Sequence, residues 1–234
     1  EAKDHFGQSV VVVQYPLNQG AEFDAIVDVL NMVLYKYPKN GGKPEKLPIP
    51  EEEKARAEEL HKELIEAIAS NDETLMEKYF DKGELDEDEM KSGMKKAMIN
   101  HDLFPLFCLS AERNMGSGRL MGFIDNVAPS AIDMPAEIAE DKTLLPCNPT
   151  GPTVLFFYKT IIEPHLGKLT FFKVLSGEVI AGTDLMNHKT NTSERLTQLF
   201  IMDGKSRNTV DKLKAGDLGC TLKLKNTFTN HTLC

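Results

Sequence analysis

The sequence predicts an α/β unit carrying a mainly helical insert, followed by an all-β antiparallel barrel. Three observations predict it. Apolar positions recur at helical spacing across residues 50–99. Residues 103–127 run as an apolar strand, a polar loop and an amphipathic helix, which is a βα unit. Beyond residue 150 the helical period stops and short strands recur between turns, the pattern of an antiparallel barrel. With 234 residues, 41% apolar and 27% charged, the chain can bury two ordinary cores and is neither disordered nor collagen-like.

Val10-Val11-Val12-Val13-Gln14-Tyr15 is a β-branched run ending at Pro16, and Ala25 to Tyr37 reads as a second, longer and bent strand. Gly41-Gly42 with Pro44, Pro48 and Pro50 punctuates its exit. Pro50 and Glu51 to Glu53 then open a helix to about residue 69, with Leu60, Leu64, Ile65 and Ile68 on one stripe. Ser70 with Glu73 predicts a capping box for a second helix through Phe80, and Asp86 with Glu89 one for a third ending near Met98. The acidic run Asp86 to Glu89 is thereby explained as helix N-terminal charge without invoking chemistry.

Leu103 to Leu109 reads as a strand buried on both faces of a parallel sheet. After the loop Ala111 to Ser117, Leu120, Phe123, Ile124 and Val127 give a helix one buried face. Ser110 to Asn114 then lies at the ligand-facing edge of an open α/β sheet. Residues 128–152 hold five prolines and no period, and read as a linker. Turns at Pro164-His165-Leu166-Gly167, Ser176-Gly177, Ala181-Gly182, Asn187 to Asn191, Asp203-Gly204 and Ala215-Gly216-Asp217 divide the strands that follow.

No apolar run reaches the length of a membrane span, and Glu1 to Asp4 carry no leader pattern, so a cytoplasmic protein is expected. Cys108, Cys147, Cys220 and Cys234 are widely spaced, without Cys-x-x-Cys, and the six histidines are scattered; no metal site is expected. Residues 50–99 hold 16 acidic and 8 basic side chains, whereas residues 151–234 hold 11 basic and 7 acidic. The basic half is the better match for a phosphate backbone.

Ile161-Ile162-Glu163-Pro164-His165-Leu166-Gly167-Lys168-Leu169-Thr170-Phe171, Glu194-Arg195-Leu196, Met202-Asp203-Gly204, Leu213 to Gly219 and Asn230 to Cys234 resemble the second domain of elongation factor G. Gln14-Tyr15-Pro16-Leu17, Val27-Asp28, Leu64 to Ile68 and Leu75 to Tyr79 are similar to the insert within that family's GTPase domain. Phe107 to Ala111, with Asn114 and Gly116, resembles its last nucleotide-contacting loop. The resemblance implies a partial GTPase domain over 1–130 with an acidic insert at about 45–99, a linker over 131–150, and a β-barrel domain over 151–234. It implies an internal fragment, trimmed upstream and downstream, of a ribosome-binding factor that uses GTP to drive tRNA-mRNA translocation.

The family's phosphate loop, its switch segments with their histidine, and Asn-Lys-x-Asp are absent from these residues. GTP and magnesium are therefore expected only in the parent protein, with no catalytic residue and no hydrolysis in this chain. The resemblance places Ser110 and Ala111 against the guanine, with Glu112 where the family has an apolar residue. It directs the barrel to small-subunit ribosomal RNA, with Lys168, Lys205, Arg207 and Lys212 as phosphate contacts beside predicted turns. The acidic insert is directed to the ribosomal stalk protein. His165 reads as turn geometry, and a monomer is expected. The alternative reading is a ribosome-binding protein of this type with lost or reduced GTP hydrolysis; a ribosomal protection or release factor would differ in other domains.

Overall fold

The computed structural model describes residues 1–163 and 167–234, and the chain divides into two units, Glu1–Pro129 and Ser130–Cys234. The predicted turn through Pro164, His165 and Leu166 lies outside the described residues.

The first unit opens with the short helix α1 (Ala2–Phe6) and strand β1 (Val10–Val12). Strands β2 (Gln14–Pro16), β3 (Ala25–Asp28), β4 (Val33–Lys36) and β5 (Glu45–Leu47) follow as one antiparallel sheet in sequential order. The long bent strand expected over Ala25 to Tyr37 is therefore two strands, β3 and β4. Asp28 makes the corner: its Oδ1 accepts the Asn31 backbone N–H at 2.9 Å and the Asn31 side-chain amide at 3.0 Å. Met32 completes it at φ 50°, a left-handed backbone that an apolar run does not announce.

Helix α2 (Glu51–Ala69) follows the predicted stripe, burying Leu64, Ile65 and Ile68 with three glutamates in its first turn. Helix α3 (Glu73–Lys82) does not start where the Ser70 box predicts. Asp72 is the N-cap and accepts from the Thr74 and Leu75 backbone N–H groups. Ser70 still has helical backbone and closes α2, its N–H reaching Glu66 O. Helix α4 (Glu87–Ile99) carries the predicted capping box of Asp86 and Glu89 in full. Around α2 and α4 the buried Leu64, Ile68, Met90, Met94 and Ala97 join Val11, Val13 and Val27 in one core.

The predicted doubly buried strand is shorter and more exposed than expected. β6 (Phe104–Leu106) pairs in parallel with β1, and Phe104 and Leu106 remain 38% and 41% exposed. Among the described residues that sheet has two strands, so only Leu103, at 1% exposure, is fully covered. Helix α5 (Ser117–Asn126) turns Phe123 inward and Val127 packs just beyond it, while Ile124 faces outward at 49% exposure.

In the second unit the segment read as a linker is partly ordered: β7 (Glu137–Ile138) and β8 (Leu144–Leu145) form a hairpin, and Glu137 approaches Lys173 at 3.9 Å. Ten strands follow: β9 (Val154–Glu163), β10 (Gly167–Ser176), β11 (Glu178–Ile180), β12 (Asp184–Asn187), β13 (Thr192–Arg195), β14 (Leu199–Asp203), β15 (Ser206–Val210), β16 (Lys212–Lys214), β17 (Leu218–Leu222) and β18 (His231–Leu233). Eight of them form an antiparallel sheet in the order β13-β12-β18-β9-β10-β17-β14-β15, with β11 and β16 as a separate ribbon. Leu155, Phe157, Phe172, Val174, Leu196 and Leu199 fill the main core of this barrel-like unit. The fold is thus the predicted one, an α/β unit with a mainly helical insert and then an antiparallel β unit.

Phe157 is fully buried against Phe172 at 5.4 Å between ring centroids. Phe157→Ala is expected to destabilise the second unit by about 3–5 kcal/mol in urea unfolding. The backbone amides of Leu103 to Leu109 are expected to exchange faster than those of β9 and β10, because fewer strands cover them. Equal protection by hydrogen exchange contradicts that expectation.

Candidate functional site

The loop after β6 closes on itself by an isolated bridge: Ser110 N–H donates to Met115 O at 2.9 Å and Met115 N–H returns to Ser110 O at 3.0 Å. Arg113 holds it from below. Its guanidinium donates to Phe23 O at 3.2 Å and Ala21 O at 2.9 Å, and its backbone N–H points to Ser110 Oγ at 3.4 Å. Asn114 at φ 52° and Gly116 at φ 83° complete the turn. A Cβ at Gly116 would lie 2.9 Å from Cys108 O, so the position excludes any side chain. Gly41 makes a still closer approach: at φ 73°, its Cβ would fall 1.9 Å from Arg113 O.

Ser110 is half-buried, and Ala111 and Glu112 stand exposed at the loop tip. This geometry presents a pinned backbone edge with a small hydroxyl, and it adds a carboxylate immediately beside them. Burial of the neighbouring Cys108 pushes its thiol up to about 12, so it is inert near neutral pH. Sequence reasoning found Ser110 and Ala111 but missed Arg113 and Gly41. The Gly41-Gly42 pair was the available signal, since paired glycines mark places where two backbones meet.

The four predicted phosphate contacts do not share one environment. Lys168 on β10 donates to Thr227 O and lies 3.7 Å above the Phe228 ring, and burial lowers its pKa. Lys212 on β16 pairs with Glu178 Oε2 at 3.2 Å. Lys205 is exposed at the β14–β15 turn, and Arg207, two residues further on in β15, stands 5.9 Å from the Phe200 ring. Among the described residues, neither of these last two makes an ion pair.

Beside Lys168 lies a buried polar cluster that the sequence did not suggest. Asn187 Oδ1 accepts the Lys189 and Thr190 backbone N–H groups, which fixes its amide. Its Nδ2 therefore donates, reaching His231 Nδ1 at 3.0 Å and Asn226 O at 3.2 Å. Glu194, 6% exposed, accepts from Lys225 N, Asn226 N and Thr227 Oγ1. His231 must accept at Nδ1, and burial together with Lys189 and Lys168 lowers its pKa.

In the helical insert the acidic run is largely engaged internally. Lys78 bridges Asp86 and Glu89, Lys91 pairs with Glu87 at 2.6 Å, and Lys96 holds the Asp72 carboxyl below the usual range. Among the described residues no group of three His, Cys, Asp or Glu side chains is placed to hold a metal ion, and no helix is long and apolar enough to cross a membrane.

Residues 153–234 match the family model of elongation factor G domain 2. The fold of the chain is similar to the crystal structure of ttk003000868 from Thermus thermophilus, at a TM-score of 0.80 and 22% identity. That similarity covers 99% of this chain and 32% of the other, so the chain spans about a third of that protein's length.

Gly41→Ala is expected to cost the first unit about 1–3 kcal/mol through strain and overlap with Arg113, read by urea unfolding, and to free the Ser110 amide for exchange. His231 has a lowered folded pKa, so its contribution to stability is complete above the ordinary imidazole value of 6.5 and is lost as pH falls through the folded value. Thermal melts between pH 7.5 and pH 5 are therefore expected to show an acid loss that His231→Gln flattens.

Proposed function

We propose that this chain is part of a ribosome-binding translational GTPase of the elongation factor G type, which uses GTP to drive movement of tRNA and mRNA during protein synthesis. The observation that carries this reading is the match of residues 153–234, which hold strands β9 to β18, to elongation factor G domain 2. The ordered resemblance of Gln14 to Leu17, Leu64 to Ile68 and Phe107 to Ala111 to the GTPase domain and its insert supports it from the other unit.

Under this reading Ser110 and Ala111 supply one edge of the guanine site. The pinned turn and its exposed tip fit that role, since a rigid backbone edge can approach a flat base without reordering. GTP and magnesium belong to the parent protein, where they supply the phosphoryl chemistry; the phosphate loop and Asn-Lys-x-Asp are not in this sequence. The barrel is assigned to small-subunit ribosomal RNA, with Lys205 and Arg207 as the exposed cations and Lys168 and Lys212 nearer to partners of their own. The acidic insert is assigned to the stalk protein and the protein to the cytoplasm as a monomer.

Glu112 favours a second reading, a ribosome-binding protein of this type with lost or reduced GTP hydrolysis. A carboxylate beside the guanine edge repels an anionic nucleotide where an apolar side chain does not.

Co-sedimentation with ribosomes by the parent protein is the deciding measurement, and failure to bind at moderate salt overturns both readings. GTP turnover with and without ribosomes then separates them. This chain alone is expected to release no phosphate from GTP. Lys205→Glu with Arg207→Glu is expected to weaken ribosome binding about tenfold or more and to flatten its salt dependence.

A further inference from the structure

The Ser110 loop follows β6 in the chain, yet another element holds it. A Cβ at Gly116 would also lie 3.0 Å from Ile26 Cδ1 on β3, and the fully buried Met115 packs with Ile26, Tyr35 and Tyr37 in one cluster. Burial raises the pKa of the Tyr37 hydroxyl, and the Gly116 backbone beside it opposes that rise. Arg119, in the first turn of α5, donates to Tyr35 OH at 2.6 Å and stacks over that ring. Arg113 adds its bonds to Ala21 O and Phe23 O, and Gly41 closes on Arg113 O. Ile26 and Tyr35 lie on β3 and β4, residues 21–23 join β2 to β3, and Gly41 lies between β4 and β5. The support is therefore the antiparallel sheet β2–β5.

What the loop offers is as specific as what holds it. Ala111 and Glu112 stand exposed at its tip. Among the described residues their backbone N–H groups have no hydrogen-bond partner, whereas those of Ser110, Arg113, Asn114 and Met115 all do. Two free donors therefore sit on a turn whose other amides are fixed. Guanine carries an acceptor oxygen at the position where adenine carries an amino donor. Adjacent N–H donors pair with the first base and oppose the second, and they do so more strongly the less they can swing.

We propose that Arg113 is a positioning residue for base selection: through Ala21 and Phe23 it ties the Ala111 and Glu112 amides to the antiparallel sheet, and so sets the preference for guanine over adenine. The inference rests on the guanine reading of this loop and adds the residue that makes that reading selective. Arg113 suits the role by geometry. Its Nη1 and Nη2 each take one of two carbonyls two residues apart, so the planar group is fixed at two points, and its own backbone N–H reaches Ser110 Oγ inside the turn. Arg119 is fixed to the same sheet but lies beyond Gly116, so it secures the start of α5 and not the tip.

The test has two arms. In this chain, backbone nitrogen relaxation is expected to give Ala111 and Glu112 order parameters like those of β3 and β4, and Arg113→Met, which keeps the aliphatic stem, is expected to lower them below about 0.6. In the parent protein, Arg113→Met is expected to weaken GDP binding about tenfold, the worth of one neutral hydrogen bond, and ADP binding by less than about twofold. In a parent that hydrolyses GTP, KM rises with kcat unchanged, a split that a general loss of stability does not produce. Arg113→Lys, which keeps a donor without the planar fork, is expected to fall between the two and carries the same test where the Arg113→Met chain does not fold. Unchanged order parameters, or equal losses for GDP and ADP, overturn the inference. A parent that binds GDP no better than ADP sinks the guanine reading together with it, whereas a guanine preference left intact in Arg113→Met sinks the inference alone.

Discussion

The antiparallel ladder between β9 and β10 sets what every other strand of the second unit can pack against. Its register shifts twice. Phe172 pairs with Phe157 but Phe171 pairs with Lys159, so Tyr158 is an extra residue in β9; Val174 pairs with Leu155 but Ser176 with Val154, so Leu175 is extra in β10. The first shift has a packing consequence. On β9, Leu155 and Phe157 enter the main core, whereas Ile161, the same parity but beyond Tyr158, joins the second cluster of Leu169, Phe200 and Cys220. On β10, Phe172 and Val174 serve the main core, and Leu169 and Phe171 serve the other by ordinary alternation. One inserted residue therefore lets a single hairpin feed two cores, and β17 and β14 complete the second by pairing beyond β10.

The far side of the same sheet is closed by polar as well as apolar means, since Leu185, Leu224 and Leu233 join the main core there. β18 pairs with β9 through three residues and meets β12 at one, too short a ladder to fix the preceding loop alone. Glu194 and Asn187 do that fixing, by engaging backbone groups of residues 225–226 and 189–190. Lys168 adds a bond from β10 to Thr227 O. The network is complete only while His231 Nδ1 is unprotonated, which ties the closure of the sheet to the charge state of one imidazole.

The sequence pattern revealed element types where one period held over many residues. α2 is legible because Leu64, Ile65 and Ile68 share a stripe, and the α4 capping box because Asp86 and Glu89 stand at fixed spacing. It failed where a single side chain redirects the backbone. Asp28 breaks one apolar run into β3 and β4, and Asp72 outcompetes Ser70 because the chain stays helical through Ser70 and turns extended at Asp72. The burial of β6 was misread for a different reason: an apolar run reports what a strand can be covered by, not the cover present. At the Ser110 loop the tip residues were legible by resemblance, while Arg113 and Gly41 meet although 72 positions apart in the sequence, and local pattern carries no such contact.

Basic residues in turns were selected as phosphate contacts on reach alone, and the environments of those residues change the argument. A cation contributes to binding a polyanion in proportion to the charge it brings that is not already neutralised or committed. Lys212 faces Glu178, so engaging a phosphate first requires giving up that pair. Lys168 spends its ammonium on Thr227 O and on the Phe228 ring, and it is partly desolvated, so pulling it outward loosens the loop that Glu194 and Asn187 hold. Lys205 and Arg207 carry neither obligation, and Arg207 has its planar group near an aromatic ring, which limits the orientations it must lose on binding. Within the proposed function, then, the β14–β15 hairpin contributes free charge, while Lys168 contributes the rigidity of the sheet from which that hairpin projects.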